Sequence, residues 1–415
     1  MKIPNDWNMA KFGELAKITC GVAATPEYVD AAIGVPFLSA RNVQKERLDL
    51  SYFLHIPREL HEKLTKNTKP AKGDVLLTRV GAGIGEAAVV DIDFEFSVYV
   101  SLTLIKCGKN LDSEYVKSLL NTNYYRYLAT RDQFAGGGVQ NLNVQMVKEY
   151  PIPVPPLPEQ KKIAQILSTL DKAITTTEQL LVNSQQQKKA LMQQLLTGKK
   201  RLLDKNGVRF SGEWIEVSLS TICQINPKKP TSPADGKVSF VAMEAVSEDA
   251  KLLSSVVRDY DDVCKGFTSF ADNDVLVAKI TPCFENGKGA YVEGMQNGIG
   301  FGSTEFHVLR AGAKSNSKYL YYLTNTSEFR VQGEANMQGS AGQKRVTTDY
   351  LKSLKVIVPT DVVEQQKIAA VLSTADHEIS ALQQKLDALK QEKKALMQQL
   401  LTGKRRVKID NKEVA

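Results

Sequence analysis

KKALMQQLLTGK stands at residues 188–199 and, letter for letter, again at residues 393–404. Each copy closes a longer segment, which opens as EQKKIAQILSTLD at Glu159 and as EQQKIAAVLSTAD at Glu364. The offset between copies is 205 residues throughout, half of the 415-residue chain. Repetition on that scale marks a tandem duplication in which two similar segments alternate with two dissimilar ones.

The repeated segments carry apolar residues on heptad columns. In the first copy these are Ile163, Leu170, Thr177, Ser184 and Leu191, with Leu167, Ile174, Leu181, Lys188 and Leu195. In the second they are Ile368, Ala375, Leu382, Leu389 and Leu396, with Leu372, Ile379, Leu386, Lys393 and Leu400. Such a repeat is the seam of a coiled coil. Pro156 and Pro158 set a helix start, because a proline in the first turn gives up an N–H that has no partner there. Glu159 suits the positive end of the helix dipole; Gly198 is a stop, with Lys199, Lys200 and Arg201 at the negative end. Lys404, Arg405 and Arg406 repeat that basic end, which suits either dipole compensation or DNA phosphates. This reading gives helices within 156–200 and 361–406, each roughly 55–60 Å long at 1.5 Å per residue. A small domain cannot bury such a helix along its length. The other copy is the expected partner, antiparallel because a whole domain is threaded between the two. Lys188 and Lys393 interrupt the seam, either by snorkelling along it or where the helix ends splay toward partner subunits.

Residues 1–155 and 201–360 read as α/β domains, with 407–415 as a tail. Val35 to Leu38, Asp74 to Thr78 and Val98 to Lys106 have the β-branched, apolar character of strands. Ser113 to Thr130 has helical spacing, with Ser113 as its candidate cap. The second domain echoes the first. Trp7 matches Trp214, Asp74–Val75–Leu76 matches Asp274–Val275–Leu276, Tyr115 matches Tyr319, and Ile152 to Pro155 matches Val356 to Pro359. The predicted class is therefore α+β: two similar α/β domains joined by two long antiparallel coiled-coil helices, with a pseudo-two-fold internal repeat.

Composition narrows the function. Hydrophobic residues at 42% and charged residues at 24% suit a soluble globular protein. No apolar run approaches the roughly 18 residues of a membrane span, and the N-terminus has no signal-peptide core, so a cytoplasmic location is expected. Five scattered cysteines without a CxxC pair suit reduced thiols. His55, His61, His307 and His377 form no metal-spaced cluster, so no metal is expected. A net charge of +8 permits DNA binding through counterion release without establishing it.

Taken together, the twin segments PPLPEQKKIAQILSTLD…KKALMQQLLTGKKR and EQQKIAAVLSTAD…KKALMQQLLTGKRR, their alternation with diverged domains, and GFGSTEFHVLR at Gly300 to Arg310 resemble the specificity subunits of type I restriction–modification systems. The resemblance spans the whole chain. It implies two target-recognition domains, at 1–155 and 201–360, each reading one half of a bipartite site in double-stranded DNA. It implies that the helices act as a spacer and dock two methylation subunits. Those subunits carry S-adenosylmethionine and the catalytic residues, and restriction subunits join through them. The chain itself would be no enzyme and hold no cofactor. Two other readings are a standalone two-headed DNA-binding protein and a methyltransferase with its own chemistry. The chain lacks the Asn–Pro–Pro–aromatic tetrapeptide of amino-methyltransferases, and Asn226–Pro227–Lys228–Lys229 is no substitute.

Candidate DNA contacts follow from residue chemistry. Gln133, Gln140, Asn141 and Asn143, in a polar glycine-rich loop, can pair bidentately with adenine. Gln338, Gln343, Lys344 and Arg345 can address adenine, guanine or phosphate. Arg79 and Lys279 flank turns, Gly81 to Gly85 in one domain and Thr281 to Gly287 in the other, where backbone can approach phosphate. Asn286 lies in the second turn and Lys288 directly follows it, and both are candidates. The first turn departs from GxGxxG and does not read as a cofactor cradle. Arg41, Asn42, Lys228 and Lys229 are further candidates. For the partner interface the repeat nominates Glu159, Gln160, Lys188, Gln193 and Gln194, with Glu364, Gln365, Lys393, Gln398 and Gln399.

Overall fold

The computed structural model describes residues 3–21, 26–131, 133–134, 141–340 and 342–409. The chain closes into two compact units, Met1–Glu178 with Gln384–Ala415, and Gln179–Gln383. Each unit thus combines one globular domain with half of each long helix. The helices do not stand as domains of their own, because an apolar seam is stable only when covered.

The long helices are Leu157–Leu195 and Val362–Leu400, 39 residues each and matched end for end by the 205-residue offset. At 1.5 Å per residue each spans about 58 Å. Both end on glycines with positive φ, Gly198 at 70° and Gly403 at 69°, the left-handed turn that the sequence predicts. The N–H of Lys200 then donates to Gln194 O at 3.0 Å, and that of Arg405 to Gln399 O at 3.1 Å. In the first unit Asp171 meets Lys393 at 2.7 Å and Glu178 meets Lys390 at 2.9 Å. In the second, Ser184 meets Glu378 at 3.0 Å and Lys188 meets Asp376 at 2.5 Å. Partners fall on one helix as they rise on the other, so the halves run antiparallel in each unit. The predicted seam is covered: Ile163, Leu167, Ile174, Leu181, Leu195, Ile368, Leu372, Leu386 and Leu400 are buried.

Lys188 and Lys393 neither snorkel freely nor splay. They occupy equivalent positions and close equivalent ion pairs, with Asp376 and Asp171. Lys393 also meets Glu46 at 2.5 Å. Burial alone would lower its ammonium, but the two carboxylates outweigh burial and hold it above the ordinary value.

The globular domains share one plan. A four-stranded antiparallel sheet runs in the order Ala16–Cys20, Leu102–Cys107, Val75–Thr78, Ala87–Val89 in the first. In the second it runs Cys223–Ile225, Phe306–Ala311, Val275–Ala278, Gly289–Tyr291. The register is kept: Val75 lies opposite Ile105 and Val89, and Val275 opposite Leu309 and Tyr291. A second sheet contains a parallel pair in each domain, Val35–Leu38 with Ser97–Val98 and Lys237–Val241 with Ile299–Gly302. First and last strands close each domain, Asn8–Lys11 on Pro151–Val154 and Trp214–Ser218 on Lys355–Pro359.

Two elements differ from the sequence reading. The strand expected over Val98 to Lys106 is two strands, Ser97–Val98 and Leu102–Cys107, which serve different sheets across a turn at Tyr99. The single helix expected over Ser113 to Thr130 is two, Ser113–Leu120 and Asn123–Arg131. Asn121 breaks it. Its side chain accepts from the Ala87 N–H at 3.1 Å and donates to the Ala87 carbonyl at 2.8 Å, pairing with a strand edge like a backbone amide. The cap is Asp112, which accepts from the Tyr115 N–H at 2.9 Å, rather than Ser113. Asn316 repeats this for Tyr319 at 3.0 Å.

Candidate functional site

In each domain the turn after the central strand meets the loop after the tyrosine-rich helices. In the first, the Leu142 N–H donates to Arg79 O at 2.9 Å, and Val80 bridges to Asn141. The turn itself is a hairpin, in which the Gly85 N–H donates to Thr78 O at 2.8 Å. Gly81 and Gly85 have φ of 91° and 85°, and a Cβ on Gly85 would lie 2.8 Å from that of Ala129. Those glycines are needed for turning and for packing on a helix. In the second, the Val346 N–H donates to Lys279 O at 2.9 Å and the Thr281 N–H to Lys344 O at 3.0 Å. Gln338 and Arg345 exchange backbone hydrogen bonds at 2.9 and 2.8 Å. Arg345 forks onto Glu305, two bonds of 2.9 Å each, and this pairing holds the Glu305 carboxyl below its ordinary range.

The structure therefore gathers Lys279, Gln338, Gln343, Lys344 and Arg345 into one surface, with Gln338, Gln343 and Lys344 exposed. In the first domain the backbones of Arg79, Gln133, Asn141 and Asn143 are brought close together by the Leu142–Arg79 hydrogen bond and the pairing of the short strands. Gln133 lies in a short strand paired with Asn141–Leu142, and Gln140 lies outside the described residues. Asn143 is exposed and caps the helix Val144–Lys148, accepting from the Gln145 N–H at 2.8 Å. The Asn141 Oδ1 is buried and has no hydrogen-bond partner among the described residues. Asn286 donates to Glu248 at 2.9 Å, and Lys288 to Met243 O at 3.4 Å. Arg41 is exposed, 5.4 Å from the Tyr52 ring.

Asn42 and Arg79 are corrected. Asn42 is buried; it accepts from the Ser39 N–H at 3.0 Å and donates to Asp49 O and Tyr52 O at 2.9 and 2.8 Å. Arg79 is buried too, its Nε donating to Leu142 O at 3.0 Å. Both hold the loops that carry the exposed candidates. Lys229 donates to Cys264 O at 2.8 Å.

A second correction concerns the helix starts. Glu159 and Glu364 are both fully buried. Each receives a two-pronged guanidinium, Arg406 on Glu159 and Arg201 on Glu364, with bonds of 2.6 and 2.7 Å in both cases. Each guanidinium lies 5.8 Å from the matching tryptophan ring, Trp7 or Trp214. Gln160 donates to Pro155 O at 2.9 Å and accepts from the Asp112 N–H at 2.9 Å; Gln365 does the same with Pro359 O at 3.0 Å and the Asn316 N–H at 2.9 Å. These four residues tie helix to domain and cannot face a partner. Arg201 and Arg406 are accordingly not free for DNA phosphates. Their recurrence at the same offset as Glu159 and Glu364 is the sequence signal for this pairing. Gln193, Gln194, Gln398 and Gln399 are exposed. Among the described residues, no acidic or His/Cys group has the clustering of a metal site, and no helix is long and apolar enough to cross a membrane.

The family model for the type I restriction modification DNA specificity domain matches the chain twice, at residues 4–183 and 211–391. The EcoAI specificity subunit of Escherichia coli is 40% identical over 159 residues, 37% of this chain and 26% of that protein. The chain thus aligns with about a quarter of the length of such relatives, the EcoEI subunit being covered to 27%. The MjaVIII specificity subunit of Methanocaldococcus jannaschii is 23% identical over 432 residues, 98% of this chain and 95% of that protein. Among solved structures, a type I system S subunit from M. genitalium superposes with a TM-score of 0.58 at 13% identity, covering 96% of this chain and 98% of that one. A chain from work on complex assembly and conformational transition of the type I system gives 0.51 at 16% identity, with 98% and 100% covered. Both share the fold.

Proposed function

The chain belongs to the type I restriction–modification DNA specificity family, and on that premise we propose that its two domains read the two halves of a bipartite double-stranded DNA site. The long helices set the spacing and dock two methylation subunits, through which restriction subunits join. The chain supplies no catalysis and binds no cofactor; S-adenosylmethionine belongs to the methylation subunits, and the complex works in the cytoplasm. One observation carries this reading. The guanidinium–carboxylate pairs that join helix to domain are reproduced at a 205-residue offset, whereas the exposed loops differ in every candidate base-reading residue. Two heads that read different sequences need different loops, and two docking sites for one partner need the same frame.

The test is methylation-site mapping with a chain whose residues 1–155 come from another member of the family. One half of the recognised sequence should change and the other should stay. A change in both halves, or in neither, would overturn the assignment. Stoichiometric uptake of radiolabelled S-adenosylmethionine by the isolated chain would overturn the non-catalytic part.

A further inference from the structure

The loop after the tyrosine-rich helices of the second domain is tied from below. The backbones of Gln338 and Arg345 pair across its base, and the Gln343 N–H turns back onto Ser340 O at 3.0 Å. The Arg345 guanidinium reaches in two directions. Its Nε and Nη2 donate to the two carboxylate oxygens of Glu305 at 2.9 Å each, and its Nη1 donates to Gln343 O at 3.1 Å. Glu305 is itself fixed to the frame, because its carbonyl accepts from the Lys279 N–H at 2.8 Å, just past the central strand. One guanidinium thus links the sheet to the backbone of Gln343, which is exposed together with Gln338 and Lys344.

The first domain has neither half of this pair. There the Arg79 N–H donates to Ser101 O at 2.9 Å, as Lys279 does to Glu305, and Val80 bridges to Asn141, as Ile280 does to Arg345. Ser101 and Asn141 are therefore the matching positions, and both are neutral. Carboxylate and guanidinium stand together in one copy and are replaced together in the other, as expected of two residues that act as a unit.

Stability does not explain why a carboxylate stands there, since an ion pair this exposed adds little to folding. On a surface that meets DNA it also takes up a positive charge that could neutralise a phosphate, at a direct loss of affinity. What the pair supplies is geometry. A free arginine at the base of a loop swings to phosphates, whose contacts carry no sequence information. One held by a two-pronged carboxylate stays in place, and the loop that it braces keeps one shape.

We propose that Glu305 is a positioning residue for recognition by the second domain: it withholds Arg345 from the DNA backbone and makes it the strut that holds Gln343 toward base edges. The inference rests on the reading of this domain as one of two DNA-reading heads, and it assigns discrimination there to Gln343 rather than to Arg345.

The experiment titrates the complex of the full chain with its methylation subunits over a range of salt. The probes are the duplex identified by methylation-site mapping, duplexes with one base pair changed in either half, and an unrelated duplex. Glu305→Gln frees Arg345. Discrimination should fall about tenfold in one half only, the scale of a lost bidentate contact. Affinity for the unrelated duplex should rise, and the salt slope should steepen by about one as Arg345 reaches a phosphate. A merely structural role predicts weaker binding to every duplex with no gain in slope; that result, or undiminished discrimination, would overturn the proposal. The double variant E305S/R345N installs the first domain's neutral pair and has no guanidinium to release. It should lose the same discrimination at an unchanged salt slope. A slope shallower than that of the unaltered complex would mean that Arg345 already touches phosphate, and the strut would fall. If the unaltered complex discriminates in neither half, it is the reading of the domains as DNA heads that fails.

Discussion

The joints where helix meets domain and the loops at the ends of the domains come from the same duplication and have fared oppositely. At the joints, Glu159–Arg406 and Glu364–Arg201 repeat the same two bond lengths, and Gln160 and Gln365 repeat the same carbonyl and N–H partners. At the loops, Arg79 is buried where Lys279 is partly exposed, and Arg345 grips Glu305 in the second domain. A buried charge has one tolerable arrangement, because an unpaired one is strongly destabilising. An exposed amide or lysine has water as an alternative partner, so its identity is free to follow the ligand.

That contrast can be broken first at the joints. Replacing Glu364 by Ala leaves Arg201, whose side chain is only 20% exposed, without its carboxylate, at an expected cost of about 2–4 kcal/mol. Glu159→Ala should cost less, about 1–2 kcal/mol, because Arg406 is 42% exposed and keeps Asp6 at 2.7 Å. Urea unfolding of the two variants should rank them in that order; equal midpoints would mean that the joints are not limited by guanidinium burial.

At the loops, stability should hold while recognition falls. Gln343→Ala should relax one half-site by about 1–3 kcal/mol for a lost bidentate contact, and Asn143→Ala the other half. Lys344→Ala should weaken all sequences alike and reduce the salt slope by about one. Binding titrations on DNAs altered in each half would show whether either substitution affects both halves, which would contradict separate reading heads.

A smaller effect separates the joints by their neighbours. Lys393 has Glu46 in addition to Asp171, whereas Lys188 has Asp376, which also accepts from the Tyr322 hydroxyl at 2.6 Å. Glu46→Gln should cost about 1 kcal/mol, with Asp171 retaining the ammonium, seen as a modest loss of thermal stability in the first unit.

The smallest effect is one of pH. His307 donates from Nε2 to Val346 O at 2.8 Å, and burial holds its imidazole below the ordinary value, so it folds neutral. The unfolded chain takes up the proton first as pH drops below about 6.5. The contribution of His307 is therefore complete above that pH and is lost as pH falls toward the folded-state value. The first domain has Thr103 at the matching sheet position. His307→Gln should flatten the decline between pH 7 and 5 for the second unit, as followed by hydrogen exchange of its central strands.

Much of the frame was legible in the sequence. A heptad writes its seam directly, and a glycine followed by basic residues marks the stop at Gly198 and Gly403. The strand at Val75–Thr78 and its copy at Val275–Ala278 were readable because short, almost uninterrupted apolar runs bury on both faces. The candidate loops were also found, though only as polar stretches. Hidden were the break at Asn121, whose side chain imitates a backbone edge far away in sequence, and the turn at Tyr99, where one apolar run serves two sheets. Hidden too was the fate of Glu159, Gln160, Glu364 and Gln365. Polar residues beside a repeated helix look exposed until their partners, some from the other end of the chain, are in place.

Taken alone, then, the sequence determined the duplication, the two long helices and their seam, because periodicity and identity at a fixed offset are local properties of the chain. Only the tertiary structure decided which polar residues are ties and which are contacts. Arg406 reaches Glu159 across 247 positions, and no local pattern specifies that a carboxylate at one helix start will be closed by a guanidinium beyond the end of the other. It also sorted the repeated KKALMQQLLTGK into an inner face that packs and an outer face that stays exposed, since burial is a property of the assembled fold.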